Sequence, residues 1–452
     1  MFNKRIFFTL LTILSLSTEA QQLNTSPFSR YGIGEINNVQ SSHYLGWSNV
    51  SVAFSDPRYI NINNPASYAG FIKHNPLFDI SLSGKSAIYK SNYNNSETAS
   101  SGNNFGLNNM FLGLPITKNW GLVLGITPYS SQGYEVVSSS NLDSNITNTF
   151  TGNGSVNKLF IGNGFNLINK GDTTKLSFGF NSSYLFGNLD RLSSVIYNSS
   201  NAYNSRIQYR NSLSGWNFDG GLQFYKRFKS DNNIKRFVRF GATYALNSNL
   251  RSNNDFYAYT FVYNFNVQEI NKDTLDYIEN QSGEITVPEK LSFGIGYGKN
   301  NKDKRRWDLG LQYSMMDWSS FKESTISSTQ QTLPLGPSST IAVGYRITPN
   351  LDWANNNKSI LSKSSYSFGY HQTKSAILLD GLGLINNGIN FGLSIPLLSS
   401  RSFSMMNLSG EIGRLGDLET NEIEENYFRF AIGFTMAPDT RYDRWFRKRK
   451  YD

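Results

Sequence analysis

From Leu77 onward the chain repeats one pattern. Segments of about ten to sixteen residues alternate apolar side chains with small or polar ones, separated by breaks rich in Asn, Ser, Gly and Asp. A period of two puts successive side chains on opposite faces, so each segment reads as a strand with one greasy face. Leu176, Phe178, Phe180, Tyr184 and Phe186 share a face, against Ser177, Gly179, Asn181 and Ser183. Trp307, Leu309, Leu311 and Tyr313 stand against Asp308, Gly310, Gln312 and Ser314; Phe428, Phe430, Ile432 and Phe434 stand against Arg429, Ala431, Gly433 and Thr435. A soluble sandwich also alternates, but its strands average about five or six residues. Strands twice as long suit tilted elements that cross a bilayer and continue beyond it. No run of 18 apolar residues follows residue 20, so membrane helices are excluded. The expected fold class is all-β: a transmembrane antiparallel β-barrel.

Composition agrees. Charged residues make up 17 % and aromatics 14 %, where an ordinary soluble domain has about 25 % charged residues. Trp120, Trp216, Trp307, Trp318 and Tyr297 fall at segment ends, as interfacial girdles do. A lipid-facing Arg costs ~2–4 kcal/mol at the midplane. Asp219, Arg239, Asp308, Arg346 and Arg429, all on weaker faces, are therefore expected to point into the lumen, as is His371 on the weaker face of Tyr366–Tyr370. They read as lumen filling, not catalysis.

The chain has no Cys, which removes disulfides, thiolate metal sites, iron–sulfur clusters and thiol nucleophiles. With only His43, His74 and His371, neither a His-rich metal centre nor a cofactor is expected. Gly84-Lys85-Ser86 lacks the earlier glycine of a phosphate loop, since Asp79 stands there. No helix follows Gly294-Ile295-Gly296-Tyr297-Gly298, whose glycines suit close approach of another segment to the wall. With no marked nucleophile, the chain reads as a non-enzyme.

Four regions are expected. Residues 1–20 read as a signal peptide: Lys4 and Arg5, then apolar Ile6 to Leu16, then Thr18-Glu19-Ala20. Residues 21–76 alternate poorly and are rich in turn formers. Phe28, Tyr31, Trp47, Phe54, Tyr59 and Tyr68 there argue against disorder, so this stretch is expected to plug the lumen. Residues 77–436 form the barrel. Strand starts fall near Leu77, Asn104, Trp120, Asn148, Lys175, Arg206, Lys235, Asp255, Thr286, Arg305, Pro337, Ser364, Gly388, Ser402 and Tyr427. If both chain ends lie on one side the count must be even; about 14 strands are expected, with Asp255–Ile270 taken as a loop. Residues 437–452 form a basic periplasmic tail with Arg441, Arg444, Arg447, Lys448, Arg449 and Lys450. An exported protein meets no nucleic acid, so anionic lipid or an acidic partner fits that tail better, and the plainest reading is a solvated end anchored by Trp445 and Phe446.

Several motifs carry a family resemblance. Asn64-Pro65-Ala66 resembles the hatch signature of FadL-like long-chain fatty-acid transport proteins. Val287-Pro288-Glu289-Lys290-Leu291-Ser292-Phe293-Gly294-Ile295-Gly296-Tyr297 resembles a strand of that family, and Arg306-Trp307-Asp308 through Asp317-Trp318-Ser319 resembles the next. Ser26-Pro27-Phe28-Ser29-Arg30-Tyr31-Gly32-Ile33-Gly34, Ile126-Thr127-Pro128-Tyr129-Ser130-Ser131-Gln132-Gly133-Tyr134 and Asp443-Arg444-Trp445-Phe446-Arg447-Lys448-Arg449-Lys450 resemble a Bacteroidota-type branch. The resemblance implies a 14-strand outer-membrane barrel with an N-terminal hatch, in which a kink in the third strand opens a lateral gap. The third strand here, Trp120–Ser138, carries Pro128, which cannot donate to a ladder, and Gly133, which weakens pairing. They mark either a lateral opening or a bulge at the rim.

No basic group above an apolar pocket can be matched for a fatty-acid carboxylate, and the family includes non-transporting subunits of outer-membrane machines. Two readings follow. The first is a passive outer-membrane channel for hydrophobic small molecules with lateral exit, its partners membrane lipid and the ligand. The second is an accessory subunit of an outer-membrane secretion or biogenesis complex, docking a protein on its rim or basic tail.

Overall fold

The computed structural model describes residues 24–438 apart from internal stretches at 38–39, 94–95, 140–145, 172, 198–201, 229–233, 265–267, 302–304, 324–334, 352–358, 380 and 398–403. The expected signal peptide and nearly all of the basic tail lie outside the described residues.

A two-residue strand, β1 (Glu35–Ile36), lies in the N-terminal segment. The barrel wall begins with β2 (Leu77–Tyr93), β3 (Ser96–Pro115), β4 (Trp120–Ser139), β5 (Ile146–Asn169), β6 (Thr174–Tyr197) and β7 (Asn204–Phe228). Two interrupted strands follow: β8 (Ile234–Ala245) with β9 (Ser248–Tyr263), then β10 (Glu269–Val287) with β11 (Lys290–Asn301). The rest is β12 (Arg306–Asp317), the two-residue β13 (Lys322–Glu323), β14 (Pro337–Thr348), β15 (Ser365–Leu379), β16 (Leu382–Pro396), β17 (Met405–Asp417) and β18 (Ile423–Met436). Neighbours are antiparallel, and β18 pairs with β2, Phe430 opposite Gly84, closing the sheet. With each interrupted pair taken as one strand, the barrel has 14.

The expected number arises differently from the expected route to it. Asp255–Tyr263 is not a loop; it continues β9, so the starts assigned at Lys235 and Asp255 are halves of one strand. The interruption is matched across the ladder: Ala245 faces Lys290 and Ser248 faces Val287, with Leu246-Asn247 opposite Pro288-Glu289. Pro288 has no N–H to give the ladder. Most of β10 carries no readable alternation because Glu269–Tyr277 is exposed on both faces, leaving no apolar side to set a period.

Both ends of the wall, Leu77 and Met436, and the short turn between Pro115 and Trp120 share one end of the barrel, called here the turn end. β5, β6 and β7 run 24, 24 and 25 residues, against 12 to 15 in β14–β18. A tilted strand of that length rises about 55 Å, twice the apolar band of a barrel; the excess stands above the other, loop end.

Outward side chains such as Phe178, Phe218, Phe293, Leu311, Phe368 and Ile412 remain exposed to the bilayer. The lumen holds the packed core. Trp47, Tyr44, Tyr59, Tyr68, Phe54 and Ile60 of the N-terminal segment are almost wholly buried. One girdle expectation is corrected: Trp318 lies inside the loop-end lumen with Ile33, Leu185, Leu189, Leu213 and Leu250. There the lumen face is apolar too, so the Tyr184-Leu185-Phe186 stretch has no weak side for alternation to reveal.

Candidate functional site

The N-terminal segment seats against the wall where the wall lacks side chains. A Cβ on Gly121 would lie 2.0 Å from the Tyr68 carbonyl oxygen, and one on Gly179 would lie 2.3 Å from the Pro65 carbonyl carbon. Asn64, Pro65 and Ala66 start a short 3-10 helix ending at Gly70. Asn64 Oδ1 accepts from the Ala66 N–H (3.1 Å), capping it. Asn64 Nδ2 donates to the carbonyls of Val52 (2.7 Å) and Leu222 (3.0 Å), tying one loop to another and both to β7.

Arg239, Asp308 and Arg346 meet in one buried cluster, drawn from β8, β12 and β14. Asp308 accepts from Arg239 (2.8 Å), Arg306 (3.0 Å) and Arg346 (2.9 Å). Arg346 reaches Asp56 of the N-terminal segment at 3.4 Å, and Asp56 is held by Arg58 at 2.8 Å. Burial alone would raise the Asp56 carboxyl; Arg58 and Arg346 outweigh it and hold it well below the usual range. Arg429 and His371 belong to a second cluster. Glu35 lies 3.5 Å from Lys85 and 3.6 Å from Arg429, and Glu411 lies 3.7 Å from both Arg429 and His371. Lys85 also pairs with Glu425 at 2.6 Å. Asp219 stands apart, with Lys158 at 3.2 Å and Asn181 at 2.7 Å.

His43 makes the first cluster pH-sensitive. An Arg346 guanidinium N–H donates to Nε2 (2.8 Å), so Nδ1 carries the proton and donates to Ser394 Oγ (2.8 Å). The ring stacks on Tyr59 at 3.6 Å. Burial, then the Arg346 charge, hold His43 well below its usual range. The unfolded chain takes up this proton near about pH 6.5, the folded chain only at lower pH. Stability is thus full above about pH 6.5 and falls as pH drops below it, by up to about 1.4 kcal/mol per unit, until the folded value is passed. Denaturant unfolding in detergent at about pH 7.5 and about pH 5.5 is expected to show this loss, and His43→Gln to reduce it. Equal losses in both proteins would refute the assignment.

Among the described residues the wall has a seam between β3 and β4. β3 and β4 pair only from Pro115/Gly121 to Met110/Ile126. Beyond that point β4 keeps its ladder to β5, with a one-residue bulge between Pro128 and Ser130, while its β3 side is open. The N-terminal segment takes the vacated edge. Glu35 and Ile36 of β1 pair with Ser131 and Ser130, the Asn37 N–H donates to the Tyr129 carbonyl (2.9 Å), and Ser29 Oγ accepts from the Gly133 N–H (3.0 Å). Gly133 keeps its register opposite Asn153 of β5; a Cβ there would lie 1.9 Å from the Asn24 carbonyl oxygen. Pro128 lies beside the bulge. Gly133 therefore admits a neighbouring backbone.

A cavity of about 380 Å³ lies between the N-terminal segment and the loop-end wall, and a void of about 80 Å³ lies in the seam against outward Phe105 and Leu107. Glu35, Asn37, Pro128 and Arg429 line both. The larger cavity has an apolar side formed by Ile36, Tyr129, Met316, Trp318 and Leu335 and a basic side with Lys158 and Lys290. Lys158 is neutralised by Asp219; among the described residues Lys290 has no ion pair. In the sequence Lys290 falls within the Val287–Tyr297 motif; its place at a matched interruption of two strands is not a sequence signal.

The closed antiparallel barrel of 14 strands is the FadL-like fold. The toluene transporter TodX of Pseudomonas putida has it at 14 % identity and a TM-score of 0.53, over 90 % of this chain and 100 % of that one. The toluene transporter TbuX of Ralstonia pickettii matches at 13 % and 0.53, over 89 % and 99 %, and a Pseudomonas aeruginosa FadL homologue at 10 % and 0.50, over 89 % and 99 %. At such identities the likeness establishes the fold. No curated protein matches the chain. The BamG family model matches residues 1–452, and the chain belongs to the BamG family.

Proposed function

We propose that the protein is an outer-membrane channel for hydrophobic small molecules of the long-chain fatty-acid type. The ligand enters the cavity at the loop end, sets its acidic head against Lys290, and leaves sideways between β3 and β4. The carrying observation is that the cavity and the seam void share the four residues Glu35, Asn37, Pro128 and Arg429. A ligand crosses that partition only if β1 leaves the β4 edge. Mechanically, the Glu35–Lys85 and Glu35–Arg429 pairs latch β1, and Pro128 leaves one ladder position without a donor, so less has to be broken there.

A disulfide across the latch tests this against a cysteine-free background. Ile36 and Ser130 are register partners, at the ~4.5–5.5 Å Cα spacing a disulfide accepts. In the Ile36→Cys/Ser130→Cys protein, oxidation is expected to cut uptake of a long-chain fatty acid into vesicles at least about tenfold, and dithiothreitol to restore it. Unchanged uptake in the oxidised protein would sink lateral exit. Lys290→Met is expected to raise KM for the acid about tenfold and spare an uncharged hydrocarbon.

One observation favours a second reading, an accessory subunit of an outer-membrane assembly: residues 24–37 already seal the seam with backbone pairing to β4. In that case native mass spectrometry of gently extracted protein finds a stoichiometric protein partner and no lipid-sized ligand.

A further inference from the structure

The outer wall of β7, β8, β11 and β12 carries a feature that the channel reading does not use. Alternation sends Leu222, Phe240, Phe293 and Leu311 outward, and an open apolar groove of about 560 Å³ runs among them. Ala242 makes its floor, opposite Leu222 on β7 and Phe293 on β11, a methyl among large side chains.

Followed toward the turn end, the same outward register reaches Lys226 on β7, Arg236 on β8 and Lys299 on β11, with Arg305 at the entry to β12. Arg236 and Lys299 are direct partners across the ladder. Like charges so placed on one face repel. Among the described residues none of these four cations has an ion pair. The turn segments 226–236 and 299–305 hold nine basic residues against two acidic ones, in a chain of net charge +9. Arg236 lies four residues beyond Phe240, about 13 Å along the strand and about 9 Å in depth after tilt. That is a natural distance from the middle of one leaflet, whose apolar half is about 15 Å thick, toward its phosphates. In a barrel with its short turns at this end, that leaflet is the periplasmic one.

We propose that this wall binds an anionic phospholipid of the periplasmic leaflet. One acyl chain lies in the groove over Ala242, and the phosphodiester sits between Arg236 and Lys299, flanked by Lys226 and Arg305. The anion removes the Arg236–Lys299 repulsion, and the guanidinium gives it a forked pair of donors.

The test uses the full-length protein reconstituted in bilayers of equal phosphatidylcholine and phosphatidylglycerol, extracted gently and weighed by native mass spectrometry. Wild type is expected to retain phosphatidylglycerol over phosphatidylcholine about tenfold or more. Removal of each cation is expected to reduce retention about fivefold, so R236Q/K299Q falls to no preference. A242F, with every cation intact, is expected to lose retention of both lipids. Heat-modifiable gel mobility reports whether each barrel is folded; should R236Q/K299Q not fold, A242F decides. Equal retention of the two lipids by wild type, an unchanged preference in R236Q/K299Q, or full retention in A242F would overturn the proposal. So would displacement of the lipid by millimolar inorganic phosphate, which would mark a bare anion site.

Discussion

Asparagine in place of Asp308 is expected to destabilise the folded barrel by about 3–5 kcal/mol. Three guanidinium groups, from Arg239, Arg306 and Arg346, donate to this one carboxylate within 3.0 Å, and it has no exposure. Each is partly desolvated by aromatic rings: Arg239 lies over Phe54 and Phe237, Arg306 over Phe237, and Arg346 over Trp47. Neutralising Asp308 leaves three cations facing one another in a dry lumen, where repulsion is weakly screened. Among these three cations Asp56 is within ion-pair reach of Arg346, at 3.4 Å. The surface pair Arg210–Asp190 gives the contrast: both side chains are at least one-third exposed, and Arg210→Ala is expected to change stability by less than about 1 kcal/mol. Denaturant midpoints in one detergent compare the two. A shift for Asp308→Asn no larger than that for Arg210→Ala would show that water reaches the cluster.

Gly133→Val is the second large effect. The added Cβ would stand 1.9 Å from the Asn24 carbonyl oxygen and 2.7 Å from its carbon. Backbone meets backbone there, so no rotamer change relieves the clash. β4 is fixed by its ladder to β5; the N-terminal segment yields. Losing its place breaks the Ser29–Gly133 and Asn24–Ser131 contacts and loosens β1. The wall makes none of those bonds with itself, so the barrel survives. Limited proteolysis is expected to cut the segment before residue 42 at least about tenfold faster than in wild type, with gel mobility still heat-modifiable. Gly34→Ala should act from the other side, since its Cβ would lie 2.5 Å from the Ser131 carbonyl oxygen at a φ of +95°. If the segment is the gate, both variants raise uptake; if it is only a seal in an assembly subunit, proteolysis rises and uptake does not. Proteolysis at the wild-type rate would show that residues 24–37 do not rest on β4.

The sequence by itself determined the class of wall. A period of two sustained over lengths that cross a bilayer admits one closed architecture, because open sheet edges in hydrocarbon leave backbone groups unpaired. It also assigned Arg239, Asp308 and Arg346 to one type of face, since charge on the other face is too costly. It failed where both faces have the same surroundings. Glu269–Tyr277 of β10 stands in water on both sides, and Leu185 and Leu213 face an apolar lumen under lipid-facing neighbours; neither case leaves a contrast to read. Tertiary structure alone decided the rest. Closure brings β8, β12 and β14 within one carboxylate's reach, sets Arg236 against Lys299, and stops the β3–β4 ladder at Ile126 so that β1 can take the free edge. Arg346 lies 38 positions from Asp308 and 303 from His43, and local pattern carries no information about which distant side chains a register will make neighbours.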